Sequence, residues 1–170
     1  MELAIKKIKN MKIAIIAGAR PNFIKIAPII KEIELKKSLG FDIDFRLIHT
    51  GQHYDRNMSA LFFEQLNIPA PHVNLKCGGG SQAEIASSIM LKFEKELINN
   101  PVNLVLVVGD VTSTMACAIV SRKLHVKVAH VEAGIRSYDW EMPEEINRVV
   151  TDRISNYFFT TTISAGENLL

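Results

Sequence analysis

The residues best suited to chemistry in this sequence stand in short loops, each following an apolar run. Gly18–Ala19–Arg20–Pro21–Asn22–Phe23–Ile24–Lys25 puts Arg20 at the mouth of a helix and Lys25 one turn inside it. Fixed positive charge beside backbone N–H donors suits a diphosphate, although the same spacing also describes an ordinary solvated helix start. The segment is neither G-x-G-x-x-G nor G-x-x-x-x-G-K-[ST], so it carries no dinucleotide fingerprint and no P-loop. In His49–Thr50–Gly51–Gln52–His53, Gln52 and His53 either reach into a cleft or close a turn, with His49 inside the preceding strand. Asp110 follows the most apolar run, where it caps the next helix, accepts a proton or holds a sugar hydroxyl. Strand alternation puts His130 and Glu132 on one side, but H-x-E without a third ligand is not a metal site. Pro143–Glu144–Glu145 opens a helix with two acids, which also complement its macrodipole. Asp110, Glu132 and Glu144 are therefore expected to converge on one face, opposite Arg20 and Lys25. Carboxylates gathered in one cleft raise one another's pKa values. The arrangement fits proton abstraction beside departure of an anionic, phosphate-bearing group.

The elements that must position these residues alternate strand with helix, the pattern of parallel βαβ units. Strands are expected at Ile13–Ala17, Phe45–Thr50, Asn103–Val108, Val126–Val131 and Tyr157–Thr160. Helical spacing is carried by Ile26, Ile29, Ile30 and Ile33, and by Leu61, Phe62 and Gln65 within Asn57–Leu66. Ile85, Ile89, Phe93 and Leu97 define a long amphipathic helix behind a Ser81–Gln82–Ala83–Glu84 capping box. Thr112–Leu124 and Glu144–Ile154 supply two more. In an open parallel sheet ligands bind beyond the carboxyl ends of the strands, which is where every candidate residue falls. Ser164–Leu170 begins another helical pattern without a stop signal, leaving Leu169 and Leu170 with little to pack against. The reading is of a chain incomplete relative to its fold.

Composition narrows the class. The 170 residues are 48% hydrophobic and 22% charged, enough for one buried core and too apolar for a disordered chain. A net charge of +2 gives no reason to expect nucleic-acid binding, and no apolar run approaches the length of a membrane span. Cys77 and Cys117 have no metal-ligand spacing and read as reduced thiols of a cytoplasmic enzyme. Residues 1–10 read as an N-terminal extension and 11–170 as the domain.

Taken in order, GARPNFIKIAPII, HTGQHYDRNMS, VVGDVTSTMA, HVEAGIRS and MPEEINRVVTDRIS resemble the N-terminal half of the non-hydrolysing UDP-N-acetylglucosamine 2-epimerases. In the family's first motif, G-T-R-P-E, this sequence has Ala19 and Asn22 in place of Thr and Glu. The resemblance implies an α/β fold: a Rossmann-like parallel sheet with helices on both faces, one half of a glycosyltransferase-B-like two-domain enzyme. It implies epimerisation of UDP-N-acetylglucosamine to UDP-N-acetylmannosamine by anti elimination of UDP and re-addition, without a metal or cofactor. Arg20 and Lys25 then match cations near the diphosphate. Asp110, Glu132 and Glu144 match acids of proton transfer and sugar contact, with the base unassigned among them. Gln52, His53 and Glu145 fall where some members bind an allosteric UDP-sugar. The family's second domain, with most uridine contacts and a functional histidine, is missing, so the chain alone is expected to be weak or inactive. The partners implied are a UDP-sugar, a second copy in a homodimer and a separately encoded C-terminal half. The competing readings are a nucleotide-sugar-binding or docking module without turnover, and a hydrolysing relative releasing N-acetylmannosamine and UDP.

Overall fold

The computed structural model describes residues 10–51 and 59–170. In chain order its elements are β1 (Met11–Ala17), α1 (Arg20–Ser38), β2 (Ile43–His49), α2 (Ser59–Leu66), β3 (Val73–Asn74), α3 (Gln82–Asn99), β4 (Leu104–Val108), α4 (Thr112–Lys123), β5 (Lys127–Val131), α5 (Pro143–Ile154), β6 (Tyr157–Phe159) and α6 (Ile163–Glu167). The strands form one sheet in the order β3-β2-β1-β4-β5-β6, and every pairing is parallel. The chain starts at the centre, works outward to β3, then returns to lay β4 against the other side of β1. That reversal opens a crevice beyond the carboxyl ends of β1 and β4, the place where such sheets bind ligands.

Both faces of the sheet are covered, as the strand composition requires. On β1, Ala14 and Ile16 pack with Ile48, Val105 and Val107 against Ile89, Phe93 and Leu97 of α3 and the small residues of α4. Ile13, Ile15 and Ala17 face the other way, onto Phe23, Ile26 and Ile30 of α1 and Phe63 of α2. Pro28 lies inside α1, and the burial of Phe23, Ile26, Ile30 and Ile33 outweighs the backbone bond it removes. At α3 the capping box forms: Glu84 N–H donates to Ser81 Oγ at 3.3 Å, and Ser81 N–H to Glu84 Oε2 at 2.7 Å.

Differences from the expected elements are local. β3 has no counterpart in the sequence reading, because two residues cannot show periodicity; its pairing with β2 makes it a strand. Residues 57 and 58 of the expected Asn57–Leu66 helix, and residues 1–9 of the extension, lie outside the described residues. Leu169 is half-buried near Gly134, while Leu170 is exposed, so only one of the two terminal leucines lacks packing. No helix among the described residues is long and apolar enough to cross a membrane.

Candidate active site

The crevice is built from the first turn outward. Ala19, at the N-cap of α1, has no side-chain oxygen to cap the helix, and Asn22 supplies one from three residues on. Its Oδ1 accepts from Gly18 N–H at 3.0 Å and Ala19 N–H at 2.9 Å, and its Nδ2 donates to Val108 O at 3.1 Å. Asn22 thus ties the end of β1 to the end of β4 and is itself buried. Gly18 lies so close to α4 that an added Cβ would fall 2.3 Å from Ser113 Oγ. Ser113 and Thr50 share a buried hydroxyl hydrogen bond of 2.7 Å behind it. The departure at Asn22 from the resembled motif is therefore an internal strut.

Lys25 crosses the crevice to Glu132, with Nζ 2.5 Å from Oε2. Gly109 lies between them: its φ is +68°, and a Cβ there would be 3.5 Å from Glu132 Oε2 and 3.6 Å from Lys25 Nζ. Glu132 also has a left-handed backbone, φ +68°. It follows the last residue of β5 and donates its N–H to Phe159 O at 2.9 Å. That left-handed step breaks the strand alternation, so His130 and Glu132 do not share a side as expected. His130 turns into the interior and Glu132 turns to Lys25.

Asp110 does not cap α4, whose N-cap is Val111. It faces α5 instead: Arg148 donates to its Oδ2 from Nη2 at 2.5 Å and Nε at 3.0 Å, and Asn147 Nδ2 donates to its carbonyl at 2.8 Å. Glu144 is exposed in the first turn of α5, with no ion pair or hydrogen bond to its carboxylate among the described residues. The expected cluster of three carboxylates opposing two cations is thus replaced by interleaved pairs. Lys25 touches Glu132, Arg148 touches Asp110, and Glu144 stands open. Arg20 begins α1 at the rim and is exposed. Gln52 and His53 lie outside the described residues. His49 ends β2 as expected; its Nδ1 accepts from Gly51 N–H at 2.8 Å, and burial pushes its pKa down.

Glu145, expected beside the allosteric region, is turned into the fold. It is 1% exposed. Oε2 accepts from Ser137 N–H, Ser137 Oγ and Arg148 Nη1, and Oε1 from Tyr138 N–H. Burial pushes its carboxyl up, but the Ser137 amide, the Arg148 guanidinium, the Ser137 hydroxyl and the Tyr138 amide outweigh this and lower it from 4.5 to about 2. A carboxylate lowered on folding stabilises the fold above its unfolded value, and the contribution is lost as pH falls through the folded one. About 3 kcal/mol should therefore disappear between the two values. Thermal unfolding followed across that acid window should show the loss in the parent and a flatter profile, from lower stability at neutral pH, in Glu145→Gln.

Arg148, which holds both Asp110 and Glu145, is a member of this cluster for which the sequence reading had no expectation. Its signal was present in Glu144–Glu145–Ile146–Asn147–Arg148: a cation three residues after Glu145 lies on the same helical face. Its second partner, Asp110, comes from another element and leaves no local trace.

A family model described as UDP-N-acetylglucosamine 2-epimerase matches residues 34–170. The UDP-N-acetylglucosamine 2-epimerase of Methanocaldococcus jannaschii is 48% identical over 160 residues, covering 94% of this chain and 42% of the relative. A Pseudomonas aeruginosa UDP-2,3-diacetamido-2,3-dideoxy-D-glucuronate 2-epimerase is 45% identical over 159 residues, covering 94% and 44%. The solved structure of the M. jannaschii enzyme with UDP-GlcNAc and UDP superposes with a TM-score of 0.87 at 47% identity, covering 94% of this chain and 42% of that one. A Listeria monocytogenes structure gives 0.86 at 30% identity, covering 95% and 42%. The chain spans less than half the length of these relatives.

Proposed function

Since this chain belongs to the UDP-N-acetylglucosamine 2-epimerase family, we propose that it forms the N-terminal half of a site interconverting UDP-N-acetylglucosamine and UDP-N-acetylmannosamine. In that reaction a carboxylate takes the proton from the second sugar carbon. The bond from the first carbon to the diphosphate breaks, its electron pair leaving with UDP. A proton returned to the opposite face of the 2-acetamidoglucal, with re-addition of UDP, gives the epimer.

The observation that carries this reading is the Lys25–Glu132 pair beside Gly109, with Asp110–Arg148 on the adjoining turn. A diphosphate entering beside α1 competes with Glu132 for Lys25, whose ammonium has three donors to share. Charge on the leaving group is then met by cations already in place, the arrangement that lowers such barriers most. This reading gives the proton to Glu132 or to the open Glu144, and a sugar hydroxyl to Asp110, which Arg148 holds in place. Arg20 at the rim adds to the anion-binding end. The buried free thiols Cys77 and Cys117 fit a reducing compartment, the cytoplasm. The partners this reading expects are a second copy of the chain and the part of the family's length beyond these residues, whichever polypeptide carries it.

The test is incubation with UDP-N-acetylglucosamine in deuterated water. It is run on the chain alone and on the chain mixed with the remaining part of the M. jannaschii relative. Deuterium at the second carbon together with the manno product is expected, more slowly for the chain alone. No exchange in either folded preparation would sink the reading in favour of a binding module, and free N-acetylmannosamine would indicate hydrolysis. The Pseudomonas relative favours one alternative substrate, UDP-2,3-diacetamido-2,3-dideoxy-glucuronate; faster exchange with it would move the assignment there.

A further inference from the structure

Asp110 and Glu132 stand on two separate turns, and one buried imidazole lies between those turns. His130, on β5, has no exposed surface. Its Nδ1 is 2.7 Å from Asp152 Oδ1 and its Nε2 is 2.9 Å from Gly109 O. A carbonyl oxygen only accepts hydrogen bonds, and so does an ionised carboxylate. A neutral ring has a single N–H, so one of these contacts would set two lone pairs against each other in a dry interior. A proton moved to Asp152 Oδ1 would satisfy the same contacts, but it would leave the Arg136 guanidinium against a neutral acid in a buried site, so the ionised carboxylate is the favoured partner. Gly134 N–H reaches its Oδ2 at 3.1 Å and Arg136 Nη1 at 2.6 Å. Burial pushes the Asp152 carboxyl up, but the hydrogen bonds from His130 and Arg136, with their charges, hold it below its ordinary value.

We propose that His130 is a buried imidazolium held by Asp152, and that the pair is a positioning device fixing the Asp110 turn relative to the Glu132 turn. The ring grips the carbonyl of Gly109, the left-handed residue immediately before Asp110. Asp152 grips Gly134 and Arg136, closing the turn that Glu132 enters with its own left-handed step. Asp152 belongs to α5, which also brings Asn147 and Arg148 to Asp110. One helix therefore sets both carboxylates, and the two N–H groups of a charged ring are the link between them.

The proposal deepens the epimerase reading, but its first test needs no turnover. In the chain labelled with ¹⁵N-histidine at neutral pH, both ring nitrogens of His130 are expected in the protonated range, each with a directly bonded, slowly exchanging proton. The signals are assigned by their disappearance in His130→Gln. One ring nitrogen in the bare, pyridine-like range would overturn the proposal. In Asp152→Asn the ring is expected to lose its second proton and the Gly134 amide to exchange about tenfold faster. Deuterium incorporation into UDP-N-acetylglucosamine should then show a lower kcat with little change in KM. A folded Asp152→Asn with a single ring N–H but parental Gly134 exchange and kcat would overturn the positioning role. If that variant does not fold, the parent spectrum still decides the charge of the ring. Absence of turnover both in the parent alone and in its mixture with the remaining part of the relative counts against the epimerase reading alone, and the ring nitrogens and the Gly134 amide still decide this one.

Discussion

Glu132→Gln is expected to lower deuterium incorporation at the second sugar carbon by about 10²–10⁴-fold while the chain stays folded. Gln keeps the shape of the side chain and can still accept from Lys25, so the substitution removes the basic carboxylate and little else. The Lys25–Glu132 pair is partly open to solvent, with side chains 34% and 23% exposed. Its loss should therefore cost at most about 1 kcal/mol. For a chain of this length that is about 2–4 °C of Tm. A large rate loss with a small Tm loss is the signature expected of a proton-handling residue in the preparation that exchanges. Parental exchange in Glu132→Gln would remove it from that role and leave Glu144, whose carboxylate has no partner among the described residues. Glu144→Gln, in turn, should cost at most about 1 kcal/mol, because its charge has no partner among the described residues and meets only the α5 dipole.

Which parts of this site were legible in the sequence follows from the reach of each interaction. β1, β4 and β5 show as short β-branched runs because they are buried on both faces, and their carboxyl ends mark the crevice without any knowledge of pairing. The Ser81–Glu84 box is legible because both partners lie within one turn. Asp110, Glu132, Arg20 and Lys25 are legible as positions, since each follows a strand or opens a helix. Their pairing was not. Lys25 meets Glu132 and Arg148 meets Asp110 across three different βα loops, and only the folded sheet sets those distances. The misplacement of His130 has a more specific cause. Alternation holds only while the backbone stays extended, and Glu132 leaves that region at φ +68°. Glu is not a residue type that announces a left-handed step, so nothing local signals where alternation stops. The Asp152 grip on Gly134 and Arg136 that closes this turn is equally long-range.

The turn that carries Glu132 is also where a single methyl group should do most damage to the fold. Gly134→Ala is expected to lower stability by at least about 3 kcal/mol, or about 6–12 °C of Tm. Two independent costs meet there. Gly134 has φ +80°, a region that a residue with a Cβ enters only with strain. The new Cβ would also lie 1.9 Å from Ala165 O and 2.7 Å from Ala165 C, both backbone atoms of α6, so no side chain can swing aside. Relief requires α6 to move off the turn. That would break the hydrogen bond from Asn168 Nδ2 to Gly134 O at 2.8 Å and strain the one from Gly134 N–H to Asp152. The damage should therefore spread to Glu132, seen as a shifted Glu132 amide resonance and weakened exchange activity in whatever fraction remains folded. Gly166→Ala is the matched control. Gly166 lies in α6 itself with no atom within 4 Å of an added Cβ. The same methyl there should be neutral or stabilise by about 0.5–1 kcal/mol through helix propensity. Equal Tm values for the two variants would mean that α6 does not press on the turn, and that the position of Glu132 is set from the β5–α5 side alone.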